Sequence, residues 1–254
     1  SVKNGEVTLY AQWKVRNYTV SFNANGGSVK PSETSVVYDG TYGTLPEPTR
    51  TGYNFSGWYT ELDGGNAVSG SSKFTGTSNQ TLYAHWTAKN VTVTLNANGG
   101  TLASGSGSLT VKYDGTYSGL ADVKTPSKTG KSFVGWYTAT SGGSQVTSST
   151  MVKTESNHTL YAIWEDVKYT VSFDAGKGKA TASSIETTYG AVYGTLPDAT
   201  RTGYSFDGWY TAANGGDKVS GTDKFTKTAG QTLYAHWTAK SMKVTLDANG
   251  GAIS

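Results

Sequence analysis

The chain has 254 residues, of which 35% are hydrophobic and 15% charged, with 33 glycines, no cysteine and a formal net charge of +3. This length allows one to three domains; the weak, scattered charge excludes a nucleic-acid footprint, and the absence of cysteine excludes disulfides, thiolate metal sites and cysteine nucleophiles. Many glycines with an aromatic share of 12% point to short strands and turns around large buried rings, not to long helices, a coiled coil or a disordered chain.

The chain opens Ser1-Val2-Lys3-Asn4-Gly5, without Met or a signal-peptide pattern. It reads as a processed product or a fragment. Val7–Trp13 reads as the last strand of a preceding repeat, so residues 1–17 are that strand and a linker. Tyr18, Val20 and Phe22 alternate with Thr19 and Ser21, which predicts a half-buried strand. Asn25-Gly26-Gly27 is a turn. Thr34–Tyr38 is a second strand, ended by Asp39-Gly40. Tyr42–Glu47 has room for a single helical turn, since Pro46 and Pro48 prevent more. Tyr53–Thr60 is a third strand with a bulge at Gly57. Asp63-Gly64-Gly65-Asn66 is a turn, Lys73-Phe74 is extended, and Thr81–Trp86 is the closing strand. On that strand Leu82, Ala84 and Trp86 share one face, and Tyr83 and His85 take the other.

The pattern then returns. Leu-Tyr-Ala-x-Trp ends at Trp13, Trp86, Trp164 and Trp237, spaced 73, 78 and 73 residues apart, and Gly-Trp-Tyr-Thr places Trp58, Trp136 and Trp209. Three complete repeats follow: residues 18–86, 91–164 and 169–237. Residues 87–90 and 165–168 are linkers, and 238–254 are a linker with the first strand of a following repeat, Lys243–Gly251. A core ring recurs at one register in every copy. That assigns Trp58, Trp86, Trp136, Trp164, Trp209, Trp237, Phe22, Phe55, Phe133, Phe173 and Phe206 to the interior. Four-residue linkers without Gly or Pro have little reach. Neighbouring repeats should touch or nearly so, like beads on a short string. The fold class is α+β, mostly β.

These motifs resemble the Listeria–Bacteroides repeat, also called the internalin B-repeat. They are Phe22–Gly27, Gly52–Tyr59 and Leu82–Trp86, with counterparts in both later copies. The resemblance implies tandem β-grasp-like (ubiquitin- or SUMO-like) units. It also implies an extracellular, secreted or wall-attached bacterial surface protein of adhesin type, with no catalytic residues to carry over. The second copy departs at Lys131 and Val134, and has Ile163 where the others have His; this reads as drift on one surface.

The search for chemistry returns little. His85 and His236 occupy a slot filled elsewhere by Gln12 and Ile163, and His158 precedes the last strand of the second copy. No cofactor, catalytic residue or zinc site is expected. Asp39 and Asp114 sit in glycine turns where the third copy has Gly190, and Glu61 and Asp63 flank another turn. Asp247-Ala248-Asn249-Gly250 lacks the acidic twelfth position of a calcium loop. No apolar run reaches the roughly 18 residues of a membrane span, so membrane insertion is not expected. The expected function is a non-enzymatic stalk whose partners are other repeats of the same protein, with self-association into fibres as one form of it. The alternative is direct binding of a host or neighbouring-cell protein or glycan by Tyr10, Tyr83, Tyr161 and Tyr234, which recur on one strand face.

Overall fold

The computed structural model describes residues 5, 7–247 and 249–251. Residues 1–4, 6, 248 and 252–254 fall in the expected end segments and lie outside the described residues. Strands dominate. In the first repeat they are β1 Asn17–Asn23, β2 Glu33–Val37, β3 Tyr53–Tyr59, β4 Ala67–Val68 and β5 Gln80–Ala88. In the second they are β6 Asn90–Asn96, β7 Ser108–Lys112, β8 Lys131–Tyr137, β9 Gln145–Val146 and β10 His158–Asp166. In the third they are β11 Lys168–Asp174, β12 Lys179–Ala180, β13 Ser184–Thr188, β14 Ala199–Thr200, β15 Tyr204–Tyr210, β16 Lys218–Val219 and β17 Gln231–Ala239. The one helical element among the described residues is a 3-10 turn, Ser118–Ala121.

The chain divides into two compact units. One comprises Ser1–Leu95, Ser108–Val123 and Val146–Thr159; the other comprises Asn96–Gly107, Lys124–Gln145 and Leu160–Ser254.

In the first unit a five-stranded sheet runs β2-β1-β5-β3-β4. Alternation on β1 turns Tyr18, Val20 and Phe22 inward, and all three are buried. β1 pairs antiparallel with β2 and parallel with β5, setting Phe22 beside Leu82. β3 pairs antiparallel with β5, and its register shifts between Phe55 and Gly57. This bulge has a packing consequence. Residues three apart on a regular strand face opposite sides, but the extra residue brings Phe55 and Trp58 to the same side, ring centroids 5.6 Å apart. Gly57 takes φ 138°, which favours glycine. Trp58 is 2% exposed and joins Val20, Phe22, Phe74, Leu82 and Ala84 in one cluster.

The helical turn expected at Tyr42–Glu47 is absent. Pro46 and Pro48 remove two N–H donors, and the segment instead lies over the core. Tyr42 and Leu45 pack there, and the Pro46 carbonyl accepts the Trp58 indole N–H at 2.9 Å. The second copy has Ala121 in place of Pro46, and there the 3-10 turn forms at Ser118–Ala121.

In the second unit the sheet runs β13-β11-β17-β15-β16, and β12 pairs with β14 separately. Here Trp209 and Phe225 fill the cluster, and the Trp209 indole N–H donates to Pro197 O at 2.7 Å. β10 pairs antiparallel with β8 in the same unit, with a register shift between Ile163 and Trp164. Trp136 is 6% exposed, and Phe173 is buried. Trp86, Trp164 and Trp237 are half-buried, as are Phe55, Phe133 and Phe206.

Two expectations need correction. The segments read as linkers are mostly strand. β5 runs on to Ala88, because Tyr53 and Asn54 of β3 supply ladder partners for Ala88 and Thr87. Only Lys89 lies between β5 and β6, and only Val167 between β10 and β11. The end segments Val7–Trp13 and Lys243–Asp247 carry no strand. A strand needs a ladder partner, and these segments have none among the described residues. Leu9, Trp13 and Val244 are correspondingly exposed.

Candidate functional site

The tyrosines expected to form a binding face do not share one environment. Tyr10 lies outside any strand and is 81% exposed. Tyr83, Tyr161 and Tyr234 are half-buried, each directly across the ladder from a second tyrosine: Tyr59, Tyr137 and Tyr210. Tyr59 and Tyr210 are themselves covered by stacked imidazoles. His85 and His236 lie parallel to them at 3.9 Å, and each Nε2 hydrogen-bonds a hairpin carbonyl, Glu61 O and Ala212 O.

A tight contact links two sequence motifs. In the first copy Asn25 and Gly26 take φ of 47° and 84°, the left-handed pair of a β-turn closed by the Gly27 N–H donating to Ala24 O at 3.0 Å. Gly27 then passes under the closing indole. A Cβ there would stand 2.8 Å from Trp86 Cζ2, and one on Gly100 would stand 2.6 Å from Trp164 Cζ2. The Trp86 and Trp164 N–H groups donate to Ala24 O and Ala97 O at 3.0 and 2.9 Å. The Asn25 side chain donates to Ala84 O at 3.0 Å. The glycine turn and the closing Trp are therefore one structural element.

Consecutive repeats meet within each compact unit. The Gly52 N–H donates to Glu155 at 3.1 Å, and its carbonyl accepts from Lys89 N–H at 2.9 Å. The Tyr113 ring lies where a Gly52 side chain would be. Beside it the Tyr53 hydroxyl donates to Asp114 at 2.8 Å, the Tyr53 and Tyr113 rings meet edge-on at 5.7 Å, and Arg50 caps Tyr53 at 4.0 Å. Lys89 pairs with Glu155 at 2.9 Å, and Lys153 pairs with Asp114. In the second unit Tyr189 packs on Gly130 in the same way, and Gly130 O accepts from Val167 N–H at 3.0 Å. There Lys131 stands in place of Tyr53 and Gly190 in place of Asp114, so that polar pair has no counterpart.

These contacts move the ionisable groups. The hydrogen bond from Lys153, then that from Tyr53, holds the Asp114 carboxyl below its ordinary range. Lys89 and the Gly52 N–H do the same for Glu155. The bond to Asp114 raises the Tyr53 phenol and, from its side, the Lys153 ammonium. His158 is engaged by the Tyr117 hydroxyl at 2.9 Å. Among the described residues no three His, Cys, Asp or Glu gather as a metal site, and no helix is long and apolar enough to cross a membrane.

The spacing marks Gly52 as a motif residue and Asp114 as a turn residue, but not their meeting with Tyr113, Tyr53 and Glu155 at the junction. The available signal was the paired departure of Lys131 and Gly190, noted separately and not as partners.

The Listeria-Bacteroides repeat domain matches residues 18–85, 92–163 and 169–236. The chain belongs to this family. It is similar to two proteins of Evansella cellulosilytica. One, named as a Gly-rich membrane protein, is 34% identical over 256 residues, covering 97% of this chain and 27% of that protein. The other, named as a membrane protein, is 33% identical over 258 residues, covering 96% of this chain and 35% of that protein. Internalin H of Listeria monocytogenes serovar 1/2a is 34% identical over 119 residues, or 47% of this chain and 21% of internalin H. The chain thus spans about a third or less of the curated relatives it matches.

Proposed function

We propose that this Listeria-Bacteroides repeat array is a non-enzymatic, semi-rigid spacer of a secreted or wall-attached bacterial surface protein, partnered mainly by further repeats of the same protein. The observation that carries this reading is the junction. A one-residue connector at Lys89 and a tyrosine seated on Gly52 leave adjacent repeats little freedom. The names of the membrane-protein and internalin relatives support the surface location. The strand order β2-β1-β5-β3-β4, with parallel β1 and β5 at its centre, supports a β-grasp unit whose usual helix is replaced by the proline segment. Binding through Tyr83, Tyr161 and Tyr234 has less support, because each is half-buried.

Amide relaxation tests the spacer reading. Strands β3 and β7, on either side of Lys89, should report one correlation time, and insertion of Gly-Ser-Gly after Lys89 should separate them. Independent motion in the unaltered chain would overturn semi-rigidity.

A further inference from the structure

A groove recurs at one place in every repeat. One wall is the glycine turn after the first strand, the other is the glycine turn after the Gly-Trp strand, and the closing Trp lies between them. In the first copy it holds about 350 Å³ and is lined by Asn25, Arg50, Asp63, His85 and Trp86. The corresponding grooves hold about 490 Å³ beside Asn98, Lys128, Ser141 and Trp164, and about 560 Å³ beside Arg201, Asn214, His236 and Trp237. Each of the three lies within a single compact unit.

Two features persist while the rest vary: an indole and a cation at one register, Arg50, Lys128 or Arg201, to which Lys131 adds a second cation in the second groove and Lys177 in the third. Acids do not persist. The second groove has none in its lining. In the third, Asp174 already accepts from Gly176 N–H at 2.8 Å and Asp207 from the Thr238 hydroxyl at 2.7 Å. The bond from Arg50 to Asn25 O, 3.1 Å, uses one of the five guanidinium N–H groups. In the third copy Gly176 replaces Asn25 and Lys177 replaces Gly26, which exchanges a wall amide for a further cation.

We propose that these grooves bind carboxylate-bearing sugars, one residue per repeat. The cation takes the carboxylate, the indole takes the face or edge of the ring, and the Asn, Ser and backbone groups of the turns take hydroxyls. This does not depend on the spacer reading, since a stalk and a glycan-binding array tolerate the same junctions. Repetition along the chain would convert weak single sites into avidity.

The test uses the full chain with oligogalacturonate, a sialylated oligosaccharide and neutral maltohexaose. Indole N–H resonances follow the titration. Those of Trp86, Trp164 and Trp237 should shift with one or both acidic sugars, and those of Trp58, Trp136 and Trp209 should not. Maltohexaose should bind at least tenfold more weakly. Replacing Arg50, Lys128 and Arg201 together by Gln should remove at least tenfold of the affinity with the circular dichroism unchanged, while Lys73→Gln, outside the grooves, should leave it intact. No shift with either acidic sugar at millimolar concentration overturns the proposal. So does equal binding of the neutral sugar, or shifts confined to the core indoles.

Discussion

Trp58 and Gly27 show how single residues hold a repeat together. Trp58 contributes a large apolar area and has its one polar atom satisfied by Pro46 O. Replacing it by Ala opens a cavity and should cost about 3–5 kcal/mol. A small domain has little beyond that in total. Calorimetry of Trp58→Ala should therefore show a fraction of the chain already unfolded, with the Trp209 resonance of the third repeat unchanged. Gly27→Ala should cost about 1–3 kcal/mol, because its Cβ meets the Thr49 carbonyl oxygen and the Trp86 ring. Gly64→Ala meets nothing within 4 Å and suffers only the left-handed φ of 75°, about 1 kcal/mol. Equal melting shifts for the two variants would count against close packing of Gly27 beneath Thr49 and Trp86.

Among the elements, the bulged β3 decides whether a repeat has a core at all. Phe55 and Trp58 share a side only because the register shifts between Phe55 and Gly57. Deleting Ser56 removes the unpaired residue and leaves Phe55 and Trp58 two apart, still on one side of a now regular strand. We expect this deletion to leave the first repeat folded with both rings inside. Gly57→Val, which forces a β-branched residue to the φ of 138° that the bulge needs, should instead lower its melting temperature, with melting curves and amide dispersion checking both. A conservative Ser56→Thr at the same position should fold normally, since residue 56 is exposed.

For the molecule as a whole, the two junctions predict different responses to acid. Asp114 and Glu155 have carboxyl groups held below their ordinary values by partners across the first junction. A depressed folded-state value means that the stabilising contribution is complete above the ordinary carboxylate range and disappears as pH falls through the lowered value. Both carboxylates are solvent-exposed, so the effect should be modest and weaker at high salt. Protection factors of amides near Gly52 and Tyr113, corrected for the intrinsic exchange rate at each pH, should therefore fall on acidification below the ordinary carboxylate range ahead of those near Gly130 and Tyr189, where Lys131 and Gly190 replace the polar pair. Substitution separates the packing term. Gly52→Ala and Gly130→Ala should loosen their junctions and lower the melting temperature. Gly203→Ala, with nothing within 4 Å of its Cβ, should show the φ penalty alone.

By itself the sequence determined the repeat, its three copies and most of the strand positions, because alternation and glycine turns are local consequences of backbone geometry. It also placed the bulge at Gly57, since a glycine inside a strand pattern has few other uses. It did not reveal that Pro46 and Pro48 would hold an extended segment over Trp58, and it ended the closing strand two residues early because the ladder partners of Thr87 and Ala88 lie some thirty residues away. Only the tertiary structure decided what faces what: that Gly27 exists for Trp86, that Gly52 exists for Tyr113, and that Lys131 and Gly190 are one change seen twice. Each of those pairings joins residues distant in the chain, and one-dimensional spacing carries no record of which distant surfaces will meet.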